Sequence, residues 1–142
     1  MSRDVLSTLF EEVQDCKENR CILNRRDIEF IFKPDNGLKN QSLKNAIFGH
    51  QEPKLCDCII KRDAIVLLEI KCGKITKSIL KEIIEQLENV AKILQHVQIH
   101  FARVLFIYDS FENNKLKQTI TNKIILGKRL EYIQFQNQAI SI

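Results

Sequence analysis

The sequence predicts an α/β protein in which helices cover both faces of a central mixed β-sheet, a three-layer α/β/α sandwich. Two apolar runs, residues 64–71 and 101–109, are typical of strands buried on both faces. A strongly periodic helical pattern over residues 79–94 separates them, and a strand–helix–strand unit implies a parallel pair with a right-handed crossover. At 142 residues the chain is long enough for one such domain, over residues 1–142.

The first part of the chain predicts a helix followed by short strands. Apolar residues recur at helical spacing over residues 3–17, which predicts an amphipathic helix. Residues 20–33 predict one or two strands, and the turn sequence Pro34-Asp35-Asn36-Gly37 follows them. Residues 38–54 predict a loop with at most one short helix.

The remaining elements alternate between strands and helices. Residues 56–61 predict a second apolar strand directly before the 64–71 strand. After the 101–109 strand, residues 111–126 predict a helix that Gly127 terminates, and residues 129–136 predict a closing strand.

Composition narrows the classes of function without choosing one. The net charge of +4 permits a polyanionic partner without requiring one. No apolar run approaches the roughly 20 residues that span a bilayer, so no membrane partner is expected. Five cysteines without framework spacing, and no evident signal peptide, predict reduced thiols and a cytoplasmic location. The Cys56-x-Cys58 pair has no second pair at zinc-ligand spacing, and positions on a buried strand explain it more simply.

Three ionisable residues interrupt the two apolar strands before the long helix. A buried carboxylate is costly unless it is paired or bound to a metal, yet Asp57, Glu69 and Lys71 lie within these strands. Glu69 and Lys71 are two residues apart and therefore share a face of the sheet. Such a group forms either a structural ion-pair network or a functional site.

The hairpin register decides whether the two acids meet. Asp57 faces Glu69 only if the hairpin is centred on residue 63, which requires an odd-length loop such as residues 62–64. A two-residue loop would place Asp57 opposite Leu68 instead. We expect Asp63 to adopt the left-handed conformation in that loop.

Two carboxylates in contact inside a protein repel each other unless a cation lies between them. Hard divalent ions with oxygen ligands, Mg²⁺ or Mn²⁺, suit such a pair. Lys71 beside Glu69 is then placed to hold an attacking water or to stabilise negative charge in a transition state.

The spacing Asp57 … Glu69-Ile70-Lys71 resembles the D…(D/E)-x-K motif of the PD-(D/E)XK nuclease superfamily. The resemblance covers residues 1 to about 108, and it departs from the motif at Cys56, where the superfamily often has proline. It implies the restriction-endonuclease-like fold, Mg²⁺ or Mn²⁺ as cofactor, and hydrolysis of phosphodiester bonds in DNA.

The resemblance also implies further site residues. The backbone carbonyl of Ile70 is a candidate metal ligand beside the two acids, and members often add a glutamate from the first helix. Glu12 lies beside the apolar stripe of the predicted first helix and is the preferred third acid, with Glu29 as the alternative. Gln86 corresponds to a glutamine that some members carry on the crossover helix, although Val90 stands where an aromatic residue sometimes follows.

Basic residues predict how a nucleic acid would bind. We expect them to cluster around the acids and to contact phosphates, giving salt-dependent binding without base stacking, since aromatics are few and Trp is absent. The predicted set is Lys61, Arg62, Lys74, Lys77, Lys81, Arg25 and Arg26.

These observations predict a Mg²⁺-dependent endodeoxyribonuclease. Resemblance in size and charge to archaeal-type Holliday-junction resolvases implies branched DNA as a substrate, a role in DNA repair and a homodimer. One alternative is a catalytically inactive nucleic-acid-binding or assembly subunit on the same fold. Another is an α/β domain with no nucleic-acid role, in which the motif arises by chance.

Overall fold

The computed structural model describes residues 2–142 as a layered α/β fold. The helices are α1 (Ser2–Leu9), α2 (Gln41–Phe48), α3 (Lys77–His96) and α4 (Asn114–Ile120), with a 3-10 turn at Pro34–Asn36. The strands are β1 (Glu11–Val13), β2 (Lys17–Glu18), β3 (Cys21–Ile22), β4 (Phe30–Lys33), β5 (Cys58–Lys61), β6 (Ile65–Ile75), β7 (Arg103–Phe111), β8 (Ile124–Ile125) and β9 (Lys128–Gln134).

Seven of these strands form one mixed sheet in the order β1-β4-β5-β6-β7-β9-β8. The first four pair antiparallel, whereas β6, β7 and β9 run parallel. Helix α3 connects β6 to β7, so the predicted parallel pair with its crossover helix is confirmed. The predicted fold class, α/β with a large mixed sheet flanked by helices, is confirmed with it, whereas the helices lie on one face of the sheet rather than on both.

The two faces of the sheet have different covers. All four helices pack on one face, where Phe32, Leu67 and Phe106 belong to the larger apolar cluster. The opposite face is covered by the separate β2–β3 hairpin and by the carboxyl-terminal segment, which contributes Phe135 and Ile140. Strands such as β6 are therefore apolar on both sides, as their sequence predicts.

Two disulfides fasten the β2–β3 hairpin to the sheet. Cys16, just before β2, is bonded to Cys58 on β5, and Cys21 on β3 is bonded to Cys72 on β6, while Cys56 is free and buried. The expectation of reduced thiols is therefore wrong for four of the five cysteines. Because disulfides are rare in reducing compartments, the argument from thiols no longer supports a cytoplasmic location, which stays a prediction.

Two helix predictions are wrong in their extent. The helix predicted over residues 3–17 ends at Leu9, because Glu11–Val13 instead pairs with β4 as an edge strand. The helix predicted over 111–126 ends at Ile120, and Gly127 adopts a φ of +86° in the β8–β9 turn rather than capping a helix. In both places strand pairing prevails over local helical spacing. No helix within residues 2–142 is both long and apolar enough to cross a membrane.

Candidate active site

The β5–β6 hairpin has the register that brings the two acids together. Cys58 pairs with Leu68 and Lys61 with Ile65, so the hairpin is centred on residue 63 and Asp57 lies opposite Glu69. The predicted odd-length loop is confirmed. Asp63 is not among the residues of positive φ in the described part of the chain, so the expected left-handed conformation there is wrong.

Asp57 and Glu69 are joined by reciprocal hydrogen bonds. The backbone N–H of Asp57 donates to Glu69 Oε1 at 2.9 Å, and the backbone N–H of Ile70 donates to Asp57 Oδ2 at 2.8 Å. Each carboxyl group thus has one oxygen held by the backbone of the neighbouring segment. The other oxygens, Asp57 Oδ1 and Glu69 Oε2, are left for further contacts.

Burial keeps this pair from ionising easily. Glu69 is only 1% exposed, and burial followed by repulsion from Asp57 raises its pKa to about 9. Burial also raises the pKa of Asp57 to about 6, against the lowering effect of the hydrogen bond from Ile70. Near neutral pH the pair therefore carries about one proton, which a divalent cation would displace.

Lys71 lies on the same strand as Glu69 and on the same side of the sheet. It pairs in register with Tyr108 on β7, and its side chain is partly exposed. Its positive charge lowers the pKa of Glu69, although burial outweighs this effect. The three motif residues predicted from the sequence are thus brought together.

A third acid, Asp35, was missed by sequence reasoning. It lies in the 3-10 turn after β4 and within hydrogen-bonding reach of Asp57, whose pKa its charge raises. The Lys33 ammonium lies 3.1 Å from Asp35 Oδ1 and lowers the pKa of Asp57. The turn sequence at residues 34–37 was the available signal, but its proximity to Asp57 depends on the β4–β5 pairing.

Gln86 on α3 lies beside Glu69. In one orientation its amide Nε2 donates to the Leu55 carbonyl at 3.4 Å. In the reversed orientation Nε2 donates to Glu69 Oε2 at 3.0 Å. A protonated Glu69 suits the first orientation, because its O–H can donate to the amide oxygen, and an ionised Glu69 suits the second. About one helical turn further along α3, Asn89 Nδ2 donates to the Lys54 carbonyl at 2.9 Å and holds the same loop.

Neither glutamate proposed as the additional acid reaches the pair. Glu12 lies on β1, about 14 Å across the sheet from β6, which carries Glu69, and about 10 Å from β5, which follows Asp57. Its carboxylate binds Arg3, with Nε to Oε1 at 3.1 Å, and this hydrogen bond lowers the pKa of Glu12. Glu29 bonds through its backbone to Lys61, at the opposite end of β5 from Asp57. The placement of Glu12 on the first helix was wrong because that helix ends before it.

The predicted basic residues form two groups rather than one cluster. Lys74, Lys77 and Lys81 follow Lys71 along β6 and α3 and are exposed. The other four lie at the hairpin end, about 13 Å or more along the strand from Asp57, so their expected position around the acids is wrong. These four are Lys61, Arg62, Arg25 and Arg26.

The donor atoms suit a hard divalent ion with few protein ligands. No group of three or more His, Cys, Asp or Glu side chains within residues 2–142 has metal-binding geometry. Mg²⁺, however, commonly takes one or two carboxylates and completes its shell with water and substrate oxygens. The Asp57–Glu69 pair, with its displaceable proton, fits that requirement. The Ile70 carbonyl stays a predicted ligand, since the contact seen is through the Ile70 amide.

Comparisons with known proteins do not identify this chain. No protein-family model matches it. No curated protein and no solved structure is significantly similar to it. Membership of the PD-(D/E)XK superfamily therefore stays a prediction from the motif.

Proposed function

We propose that the protein is a metal-dependent nuclease that hydrolyses phosphodiester bonds in DNA. The observation that supports this most is the Asp57–Glu69 pair on the β5–β6 hairpin, with Lys71 on the same face. A purely structural ion pair would join opposite charges, whereas here two acids face each other and hold a proton. Such an arrangement favours a site that takes up a cation.

Asp57 and Glu69 would hold Mg²⁺ or Mn²⁺ through their free oxygens, with Asp35 near enough to bind a metal-coordinated water. A bound divalent ion lowers the pKa of water and neutralises charge on a phosphodiester. The backbone N–H groups of Asp57 and Ile70 fix the two carboxyl groups in place, so that little rearrangement is needed.

Lys71 supplies a positive charge next to the acids and is partly exposed to solvent. In the proposal it orients the attacking water and stabilises the additional negative charge on the phosphorus-bound oxygens. Gln86 is a positioning residue, since its amide contacts both the loop before Asp57 and the Glu69 carboxyl group.

A non-catalytic subunit on the same fold is the second candidate. The observation in its favour is the burial of Glu69, which is 1% exposed and already has hydrogen-bond partners. A site that has lost its metal can persist as a neutral hydrogen-bonded pair. This candidate predicts DNA binding without cleavage.

The test is incubation of linear, branched and single-stranded DNA with the protein in Mg²⁺ or in EDTA. The nuclease proposal predicts cleavage in Mg²⁺ and none in EDTA, and faster cutting of branched DNA would support the junction-specific subtype. Lys71→Met should lose cleavage and Arg26→Gln, far from the acids, should keep it. Equal cutting by Lys71→Met would contradict the assignment, and binding without any cutting would favour the second candidate.

A further inference from the structure

A wide groove lies between α3 and α4, on the side of α3 that faces away from Gln86. It encloses about 1130 Å³. Its floor is aliphatic and is formed by Leu80 and Leu116, which are buried, and by the half-buried Ile84. Neither the nuclease chemistry nor the packing of the core accounts for this groove.

The rim of the α3/α4 groove is strongly basic. Four lysines line it against a single carboxylate, that of Glu112. Lys77 and Lys81 lie one helical turn apart on α3, about 6 Å along its axis, and face Lys115 on α4. The fourth, Lys123, lies 3.9 Å from Glu88 and is partly neutralised. Such a rim is complementary to a polyanion.

Along the sequence, lysines lead from the candidate active site to the groove. Lys71, Lys74, Lys77 and Lys81 follow one another every three or four residues along the end of β6 and the start of α3. Lys74 is exposed and follows Lys71 on β6 after a register shift in the pairing with β7.

The basic residues at the hairpin end of β5 and β6 contact other parts of the protein. Arg62 contacts the carbonyl of Ile142 and lies 4.0 Å from Asp27, while Arg25 donates to Gln14 at 3.0 Å. These contacts hold the loops around the hairpin. The basic residues at the hairpin end are thus already engaged, whereas the α3/α4 groove brings four lysines against a single carboxylate.

We propose that the α3/α4 groove binds the phosphate backbone of the nucleic acid on one side of the scissile bond, an inference that rests on the proposed function. The lysines contact phosphates, and the aliphatic floor excludes water beneath them. No aromatic side chain lines the groove in the described chain, so binding there is independent of base sequence.

The test measures binding of a fluorescein-labelled DNA duplex and of the same single strand in EDTA, by anisotropy, across a range of salt concentrations. The groove variant is Lys77→Gln with Lys115→Gln. The matched control is Arg25→Gln with Arg26→Gln, which removes the same charge at the hairpin end. A third protein, Lys77→Arg with Lys115→Arg, keeps the charge in the groove.

Losing two phosphate contacts should make the slope of log affinity against log salt shallower by about 1.8 for the duplex. The affinity of the groove variant should fall up to roughly 60-fold at about 0.1 M salt, while the control and the arginine variant stay within about threefold. The proposal is overturned if the groove variant binds like the wild type, as it would if the groove received an acidic protein segment. It is also overturned if the control loses as much affinity, or if the wild type binds neither DNA.

The proposal for the groove and the proposal of nuclease activity can be refuted separately. Loss of binding in the groove variant, with a wild type that never cuts in Mg²⁺, would uphold the groove and refute the nuclease. A wild type that cuts, beside a groove variant that binds and cuts equally well, would uphold the nuclease and refute the groove.

Discussion

Replacing Glu69 by glutamine should stabilise the metal-free protein at alkaline pH. The folded protein holds a proton on Glu69 up to a pKa of about 9, whereas the unfolded chain releases it near the ordinary value of 4.5. Between these values the unfolded state binds fewer protons, so the free energy of unfolding falls as the pH rises. The stability that the proton on Glu69 contributes is complete below the pKa of Glu69 in the unfolded chain. It is lost as the pH rises to the pKa of Glu69 in the folded protein.

The size of the effect follows from the width of that window. The free energy of unfolding falls by about 1.4 kcal/mol per pH unit as long as Glu69 is ionised in the unfolded state only. At pH 8 the accumulated loss is about 5 kcal/mol, which Glu69→Gln should largely remove. Glutamine also retains an oxygen for the Asp57 N–H and offers an amide hydrogen to Gln86, so the hydrogen bonds are kept.

The assay is urea unfolding followed by far-UV circular dichroism, in EDTA and without reductant. The useful pH range lies above the Asp57 pKa of about 6, because Asp57 is then ionised in both the folded and the unfolded state. Asp57 therefore adds little to the pH dependence of the free energy of unfolding there. We expect the wild type to lose about 1.4 kcal/mol per pH unit in this range and Glu69→Gln to stay nearly flat. Parallel curves, or a variant less stable than the wild type at pH 8, would refute the account of Glu69.

Three further predictions concern the metal, the lysine and the disulfides. Mg²⁺ should raise the thermal midpoint of the wild type at pH 8, where it replaces the retained proton, and leave that of Asp57→Asn unchanged; equal shifts would place the ion elsewhere. Lys71→Met should slow DNA cleavage about 100-fold or more while anisotropy shows binding nearly as tight as the wild type's. Reduction should destabilise the protein, because the bonds at Cys58 and Cys72 close chain separations of 42 and 51 residues, each worth about 4 kcal/mol in the chain-entropy model. This loss of stability is measured as the difference between the urea midpoints with and without reductant. Cys56→Ser removes no disulfide, so this control variant should lose the same stability on reduction. An unchanged midpoint for the wild type would mean that the bonds do not form.

The hairpin could be predicted from the sequence because its constraints are local. Two apolar strands with Asp57 and Glu69 at fixed positions allow few registers, and only one brings the acids together. The parallel pair β6 and β7 followed in the same way from the helix between them.

Residues whose placement depends on strand order could not be predicted. Asp35 reaches Asp57 only because β4 pairs with β5, and nothing within residues 34–37 specifies that partner. Glu12 was misplaced because residues 11–13 have helical spacing but pair as an edge strand. The disulfides were missed for a similar reason, since each joins segments more than 40 residues apart.

The central claim is that Asp57, Glu69 and Lys71 form a site that hydrolyses DNA. The most direct measurement is the single-turnover rate of DNA cleavage in Mg²⁺ by the wild type and by Glu69→Gln, each first shown to be folded by circular dichroism. We expect cutting by the wild type and none by the variant, even though the variant is the more stable protein. Equal rates for the two proteins, or no cutting by the wild type in Mg²⁺ or Mn²⁺, would contradict the claim.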